Sequence, residues 1–484
     1  MIKFGTSGWR AIIADEFTYD NVKIVSQAIA NYILDEEKDL PKEVVVGYDT
    51  RFMSEEFAKI SASVLAGNGI KVWFTSRDTP TPVIGYEIVR RKIVGGINIT
   101  ASHNPPEYNG LKYSSSWGGP AIPEITKKIE ANCKMLTETA ATGKIKYLPF
   151  EEGIKKGVIV LFDPRKEYYK QIERLVDFEI IKKANLRVIV DVLFGTARDY
   201  LDTLLIKHGL KVETLHNWRD VMYNGSAPEP NQQNLKTLTI TVKKRKAALG
   251  VAVDGDADRF GIVDSEGRFY TPNQIISALL WYLLRTRKYI REKNFVVARS
   301  VMTTHMIDAI ANKYNIPVRE TPVGFKFIGE VMMREPMLIG GEESGGLTIY
   351  NHVPEKDGIL ACILVVEMLC WARKSLQEIL KEIYKEVGRF YTERVNYHLT
   401  QERMQNIMEK LNKKLPESVE NMRVAEVKRL DGYKLLFDDS KSWIGIRLSG
   451  TEPVVRYYIE TDSQKKLQKL KSWGKKFILG EDGE

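Results

Sequence analysis

The feature that most constrains this chain is a strand–helix rhythm that starts three times. Val22, Val25, Ala28, Ile29, Tyr32 and Ile33 share one helical face, and Glu43–Tyr48 follows as a β-branched strand run. Ser54 suits an N-cap ahead of Glu55 and Glu56. That helix ends near Gly67–Gly69, and strand Ile70–Thr75, helix Pro82–Arg91 and strand Ile93–Thr100 complete the first cycle. The second runs through helix Arg165–Val176, strand Arg187–Leu193, helix Thr196–Lys207, strand Lys211–Leu215 and strand Ala248–Asp254. The third comprises helix Asn273–Arg285, strand Asn294–Arg299, helices Thr303–Tyr314 and Phe325–Met333, and strand Met337–Gly340. Strands separated by helices are joined by crossovers, so they predict mainly parallel sheets covered by helices.

The texture changes after about residue 385. Extended runs, one helix over Gln401–Leu415, strands ending in Val454–Glu460 and a last helix predict an α+β unit. The expected fold class is therefore three consecutive α/β domains with mixed, mainly parallel sheets, followed by a C-terminal α+β domain. Four units of roughly 100–160 residues suit the usual domain size. The expected edges are 1–160, 161–268, 269–384 and 385–484 of the 484 residues. No Gly/Ser-rich or Pro-rich linker separates them, so the units are expected to pack together.

Composition removes several classes. A 43% hydrophobic content excludes a disordered chain. Lys plus Arg is 72 and Asp plus Glu 63, and a surplus of +9 over this length does not mark a nucleic-acid binder. It suits an anionic small substrate drawn to a positive cleft. Cys133, Cys362 and Cys370 form no CxxC pair, which argues against a disulfide framework or a cysteine zinc site. The first residues, MIKFGTSGWR, lack the apolar stretch of a signal peptide. The longest uncharged, mostly apolar run, Ile275–Leu284, is short of the ~18 residues that span a bilayer. The expectation is a cytoplasmic protein that binds neither membrane nor nucleic acid and is a monomer or homodimer.

Ligands of open α/β sheets lie beyond the carboxyl ends of strands, and three of the predicted units place a polar cluster there. Thr100-Ala101-Ser102-His103-Asn104-Pro105 offers a hydroxyl at a strand end beside an imidazole, although by itself it reads more readily as a turn. Asp254-Gly255-Asp256-Ala257-Asp258-Arg259 sets carboxylates at i, i+2 and i+4, where mutual repulsion favours a bound hard cation. An all-oxygen set selects magnesium over zinc. An EF-hand loop fails, because Arg259 stands where glycine is needed and Ser265 where glutamate is needed. Gly341-Glu342-Glu343-Ser344-Gly345-Gly346 combines carboxylates and a hydroxyl on flexible backbone, which suits sugar hydroxyls and equally a hairpin turn. In the terminal unit, Arg447-Leu448-Ser449-Gly450-Thr451-Glu452-Pro453 has a guanidinium, two hydroxyls and free backbone N–H groups, a phosphate cradle or an ordinary polar turn. His208 reads as a helix C-terminal cation, His305 as packing or surface, and the basic run Lys465–Lys476 as an amphipathic surface helix.

In order and spacing these four segments resemble the signatures of the α-D-phosphohexomutase superfamily. Gly5-Thr6-Ser7-Gly8-Trp9-Arg10, Asn109-Gly110-Leu111-Lys112 and Lys356-Asp357-Gly358 extend the resemblance over nearly the whole chain. It implies four domains and an isomerase interconverting hexose 1-phosphate and hexose 6-phosphate. It further implies Ser102 as the phosphoserine; Asp254, Asp256 and Asp258 as magnesium ligands together with a phosphoserine oxygen; and a hexose 1,6-bisphosphate as intermediate and activator. Arg10, Arg259 and His103 are implied around the transferring group, where they add positive charge or hydrogen bonds. Lys112 is implied in proton transfer, which requires neighbouring cations to lower its pKa. Glu342 and Ser344 match the positions for the sugar 3- and 4-hydroxyls, and Arg447, Ser449, Gly450 and Thr451 the loop for the non-reacting phosphate.

Gly324-Phe325-Lys326-Phe327 resembles the Gly-Trp-Lys-Phe of glucose-type enzymes and adds Lys326 to the expected site. Gly345-Gly346 departs from both the Phe-Gly of that group and the Gly-His of dual phosphomannomutase/phosphoglucomutases, which leaves Lys326 or Lys112 to share the acid/base role of that histidine. The expected substrates are hexose phosphates, glucose first and mannose second. The alternatives are an amino-sugar phosphomutase and a non-enzymatic phosphosugar-binding protein on the same fold.

Overall fold

A computed structural model describes residues 2–5, 7–138, 145–413, 415–448 and 453–480. Ser449, Gly450 and Thr451 of the expected phosphate loop lie outside the described residues.

Four sheets form in succession. The first contains β1 (Trp9–Ile12), β2 (Glu43–Tyr48), β3 (Lys71–Thr75), β4 (Gly95–Ile99), β5 (Tyr108–Ser115) and β6 (Ile159–Phe162) in the order β1-β5-β4-β2-β3-β6. The second orders β7 (Arg187–Asp191), β8 (Lys211–Leu215), β9 (Leu249–Val253), β10 (Phe260–Asp264) and β11 (Phe269–Tyr270) as β11-β10-β9-β7-β8. The third orders β12 (Val296–Ser300), β13 (Val318–Thr321), β14 (Met337–Glu342) and β15 (Gly346–Ile349) as β13-β12-β14-β15. Strands joined through helices pair in parallel, as β2 does with β3 and β4, β7 with β8 and β9, and β12 with β13 and β14. Each sheet is mixed because one of its parallel strands turns straight back: β4 pairs antiparallel with β5, β9 with β10 and β14 with β15, while β6 adds to the first sheet in parallel with β3.

Among the described residues the fourth sheet pairs only antiparallel. It runs β16-β21-β20-β19-β18-β17, built from β16 (Tyr391–His398), β17 (Ser418–Val419), β18 (Met422–Lys428), β19 (Tyr433–Phe437), β20 (Trp443–Leu448) and β21 (Val454–Thr461). The helix Gln464–Leu479 covers β21 with Leu467 and Leu470 buried, so the basic run is the solvated side of an amphipathic helix.

The helix Gly358–Ala372 is apolar on every side except at Glu367, and it lies against β9, β10 and β15, so the second and third units share one core. Glu367 tolerates full burial because it accepts from Arg287 Nη2 at 2.7 Å and from the Asp177 backbone N–H at 2.7 Å. Cys133, Cys362 and Cys370 are free and buried. Among the described residues no helix is long and apolar enough to cross a membrane.

Three local expectations are corrected. Ser54 is not an N-cap: it is the first residue of the helix Ser54–Gly67, and its hydroxyl donates to Asp49 Oδ1 at 2.7 Å instead. The helix expected from Thr196 begins at Leu201. Thr196 N–H is drawn off to Gly255 O at 3.0 Å, and Leu193, Phe194 and Asp199 take positive φ, so the connection is tied to the acidic loop rather than wound into helix. The helix expected from Thr303 begins at Met306, because the Thr304 hydroxyl and the His305 N–H are taken by Glu460 of the fourth sheet.

Candidate active site

The motif segments meet at a cleft of about 440 Å³ whose wall includes Arg10, His103, Arg259, Glu342, Lys356 and Arg447, contributed by all four sheets and their loops. Its charge is strongly positive: Lys3, Arg394 and Arg456 also line it. That is the field an anionic substrate requires.

Ser102 follows β4 with φ at +53°, a left-handed conformation that costs a non-glycine residue roughly 1–3 kcal/mol. The strain is held by its surroundings. The Ser102 N–H donates to Thr100 Oγ1 at 2.8 Å, and the Ser102 carbonyl accepts from Arg51 Nη2 at 2.7 Å. The Ser102 hydroxyl thereby reaches across to the second unit and donates to Asp254 Oδ2 at 2.8 Å, with His103 Nδ1 3.3 Å away. Burial, followed by the charges of Arg259 and Arg10, pushes the His103 pKa well below its ordinary value. That disfavours the charged imidazole, and of the two expected contributions the hydrogen bond to the Ser102 hydroxyl is the one the geometry supports.

Asp254, Asp256 and Asp258 sit in the β9–β10 turn, all buried, with one oxygen from each within 4.8 Å of the others. Asp256 Oδ1 and Asp258 Oδ1 are buried without a hydrogen-bond partner. Two orphaned carboxylate oxygens in an all-oxygen cluster fit a hard divalent cation. Burial, then the charges of Asp258 and Asp256, drives the Asp254 pKa up. Burial also acts to raise Asp258, but Lys356, Lys112 and Arg259 hold it below the ordinary carboxylate range.

Lys112, on β5, lies 2.5 Å from Asp256 Oδ2 and 3.1 Å from Asp258 Oδ2. Burial lowers its pKa, yet Asp256 and Asp258 outweigh burial and raise it. The carboxylates it touches thus favour the charged ammonium, whereas a base role for Lys112 requires the opposite shift. Arg10 donates to Asn104 Oδ1 at 2.6 Å, and Arg259 Nη1 lies 3.2 Å from Glu229 Oε1, so both guanidinium groups are aimed from the cleft wall.

Glu342 ends β14, and its Oε1 accepts from the Gly324 N–H at 2.7 Å. Burial and the neighbouring Glu343 push its pKa up to about 7. Ser344 lines the cleft in the β14–β15 turn, and Arg447, at the end of β20, is joined to Asp431 at 3.0 Å. Lys326 stands apart. The cleft wall reaches Gly324 and Phe325, whereas Lys326 is half-buried and its charge faces Glu124 and Glu330.

Sequence reasoning misses two groups. Lys356 enters it only as part of Lys356-Asp357-Gly358, yet its Nζ lies 3.0 Å from Asp258 Oδ2 and its stem fills the space beside Gly346. Arg51 is completely buried, and its guanidinium grips four carbonyls of the Ser102 segment. The signal for it is present: Asp49-Thr50-Arg51 is a polar cluster just past strand Glu43–Tyr48, the same kind of place that marks the other motifs.

Comparison with known families agrees with this arrangement. The four domain models of one family match in order. Phosphoglucomutase/phosphomannomutase alpha/beta/alpha domains I, II and III match residues 1–140, 166–267 and 271–387, and the C-terminal domain matches 404–472. The chain belongs to the phosphoglucomutase/phosphomannomutase family. It is an isomerase of the phosphohexomutase type. A phosphoglucomutase/phosphomannomutase of Thermococcus kodakarensis is 30% identical over 98% of both chains. A phosphoglucosamine/phosphogalactosamine mutase of Sulfurisphaera tokodaii is also 30% identical, over 99% of both. Among solved structures, a candidate phosphomannomutase from Thermus thermophilus superposes with a TM-score of 0.83 at 29% identity, covering 99% of each chain.

Proposed function

We propose that this phosphohexomutase interconverts hexose 1-phosphate and hexose 6-phosphate, with glucose the first substrate and mannose the second. The observation that carries the reading is the 2.8 Å hydrogen bond from the Ser102 hydroxyl to Asp254, which joins a strained serine to the acidic triplet of another unit. Ser102 Oγ carries the phosphoryl group. The free sugar hydroxyl attacks phosphorus, a new sugar O–P bond forms, the Ser102 O–P bond breaks, and the proton lost by the sugar hydroxyl is passed on so that the leaving Ser102 Oγ ends as a hydroxyl. The resulting hexose 1,6-bisphosphate turns end for end, and Ser102 takes back the other phosphoryl group.

Each group has a task in that cycle. Asp254, Asp256 and Asp258 hold magnesium, which supplies charge stabilisation for the leaving serine oxygen. Arg10 and Arg259 face the transferring group, and His103 hydrogen-bonds the serine oxygen. Glu342 and Ser344 hold the sugar hydroxyls, and Arg447, with the following loop, holds the phosphate that is not reacting. Lys112 presents a positive charge beside the triplet. We further infer that the chain divides near residues 160, 268 and 384, each unit contributing one loop.

A second reading, an amino-sugar mutase, is supported by the paired carboxylates Glu342 and Glu343 in the cleft wall, which suit a cationic 2-amino group. The test is turnover of glucose 1-phosphate, mannose 1-phosphate and glucosamine 1-phosphate with magnesium and a hexose 1,6-bisphosphate primer, beside Ser102→Ala and after chelation. Glucose 6-phosphate formation that disappears in Ser102→Ala and on chelation is expected. Faster turnover of glucosamine 1-phosphate than of glucose 1-phosphate would establish the second reading. A folded, primed enzyme that turns over none of the three would leave a binding protein.

A further inference from the structure

The phosphate arginine and the sugar glutamate come from different units, and the structure joins them through a residue that no motif includes. Asp431 lies in the turn before β19. Its Oδ2 accepts from Arg447 Nε at 3.0 Å and from the Val323 N–H at 3.0 Å. The next N–H along, that of Gly324, donates to Glu342 Oε1 at 2.7 Å. Two carboxylates thus grip consecutive peptide N–H groups at the start of the helix Phe325–Arg334, where the helix dipole favours negative charge.

The approach of Asp431 to Arg447 depends on Gly432. Its φ is +80°, and a Cβ there would meet Ile446 O at 2.5 Å and Arg447 Cα at 3.1 Å. Asp431 occupies the Nε edge of the guanidinium, and among the described residues neither Nη group has another hydrogen-bond partner, so both remain for the cleft that Arg447 lines. A guanidinium held by one edge is pre-oriented for a bidentate contact with phosphate, and the rotamer freedom it would lose on binding is lost in advance.

We propose that Asp431 is a positioning residue. It aims Arg447 at the non-reacting phosphate and ties that arginine to the Val323–Gly324 peptide that aims Glu342, so phosphate capture on the fourth sheet and hydroxyl capture on the third are aligned as one unit. This rests on the roles given above to Arg447 and Glu342. Phosphate and hydroxyl contacts must both survive when the intermediate turns end for end, so a fixed spacing between them serves both orientations.

The experiment is a double-mutant cycle of Asp431→Ala and Arg447→Ala in the full-length enzyme, read as kcat and KM for whichever hexose 1-phosphate the wild type turns over fastest. The expected result for Asp431→Ala is a KM raised about tenfold with kcat changed less than threefold. In the Arg447→Ala background the same substitution should change KM less than twofold, because there is no guanidinium left to aim. Asp431→Asn, which retains an acceptor oxygen, should recover most of the affinity. An Asp431→Ala effect of equal size in both backgrounds would show a merely structural role and overturn the proposal, as would an unchanged KM in Asp431→Ala beside a raised KM in Arg447→Ala. If Arg447→Ala itself leaves KM unchanged, the phosphate role of Arg447 falls first and this inference falls with it.

Discussion

Replacing Arg51 by lysine removes the clamp that holds the nucleophile segment. Every guanidinium N–H of Arg51 is used. Nε donates to Asp49 Oδ2 at 3.1 Å, Nη1 to Pro105 O at 2.7 Å and Tyr108 O at 3.0 Å, and Nη2 to Ser102 O and Asn104 O at 2.7 Å each. Lysine retains the charge opposite Asp49, but it has three donors on one atom in place of five in a planar fork. At least two buried carbonyls therefore lose their donor. At ~1–3 kcal/mol for each stranded group the loss is roughly 2–6 kcal/mol, concentrated between Ser102 and Tyr108. That is a large share of the ~5–15 kcal/mol that holds a typical domain together.

The loss of stability carries a functional consequence. The left-handed backbone at Ser102 persists only while its surroundings fix it, so a loosened segment relaxes and the hydroxyl leaves Asp254. A misplacement of about 1 Å at a reacting atom costs on the order of 100-fold in rate. Arg51→Lys should therefore load a phosphoryl group from glucose 1,6-bisphosphate onto Ser102 about 100-fold more slowly by intact-mass analysis, with new protease cleavage confined to the Ser102–Tyr108 segment. Wild-type loading and wild-type protease resistance in Arg51→Lys would refute the argument, because they would show that Ser102 is placed without the fork.

Two further outcomes follow from the cleft. Glu342, with its pKa pushed up to about 7, is a charge-assisted acceptor for sugar hydroxyls only when ionised, so kcat/KM should fall by about 10–100-fold as pH drops below about 7. Glu342→Gln should abolish that acid limb and lower the value at pH 8 by about 10–100-fold, the size of a hydrogen bond to a charged group; an unchanged profile in the variant would place the titration elsewhere. At Gly346 an added Cβ falls onto the Cδ and Cγ of Lys356, so Gly346→Ala must push that stem aside and break its 3.0 Å contact with Asp258. The expected result is a drop in kcat of about tenfold and a stability loss of roughly 1–3 kcal/mol in thermal unfolding, and a variant with wild-type kcat would show that the Lys356 position has no part in turnover.

The fold is legible where its signals are local. The helix face Val22–Ile33 and the β-branched run Glu43–Tyr48 each carry their own local signal, and each forms the expected element. Expectation and structure part where a distant group takes over a local one. Glu460, far along the chain, removes the first turn expected at Thr303, and Gly255 removes the one expected at Thr196. The same limit governs the site. Ser102, the acidic triplet, Glu342 and Arg447 are marked by their own neighbours in sequence. The partners of Lys112, Asp256 and Asp258, are more than a hundred residues away, so its immediate sequence neighbours do not reveal the carboxylates it contacts. Arg51 and Asp431 escape notice because what makes them important is the set of backbone groups they hold, which no spacing reveals.

Those motifs invite two competing interpretations, an ordinary turn or a functional loop, and the structure makes the two compatible. Thr100–Pro105 lies between antiparallel β4 and β5, Asp254–Arg259 between β9 and β10, Glu343–Gly345 between β14 and β15, and Arg447 stands where β20 turns towards β21. The first three are connections between hairpin strands, each placed at the carboxyl end of the strand before it. A hairpin fixes both ends of a short loop by ladder hydrogen bonds, which limits how far the polar groups at its tip can move. Crossover connections, by contrast, carry a helix and leave the strand end free. Setting one such hairpin from each of the first three units against a common cleft therefore yields three short tethered tips that face the same space. Other groups brace one tip or connect it to another: Arg51 within the first, Lys112 from the first unit to the acidic turn, Lys356 from the third unit to the same turn, and Asp431 from the fourth to the third. Chemistry is encoded in the tips, and their alignment is encoded in these buried cross-links, so losing a cross-link should impair turnover while every motif remains intact.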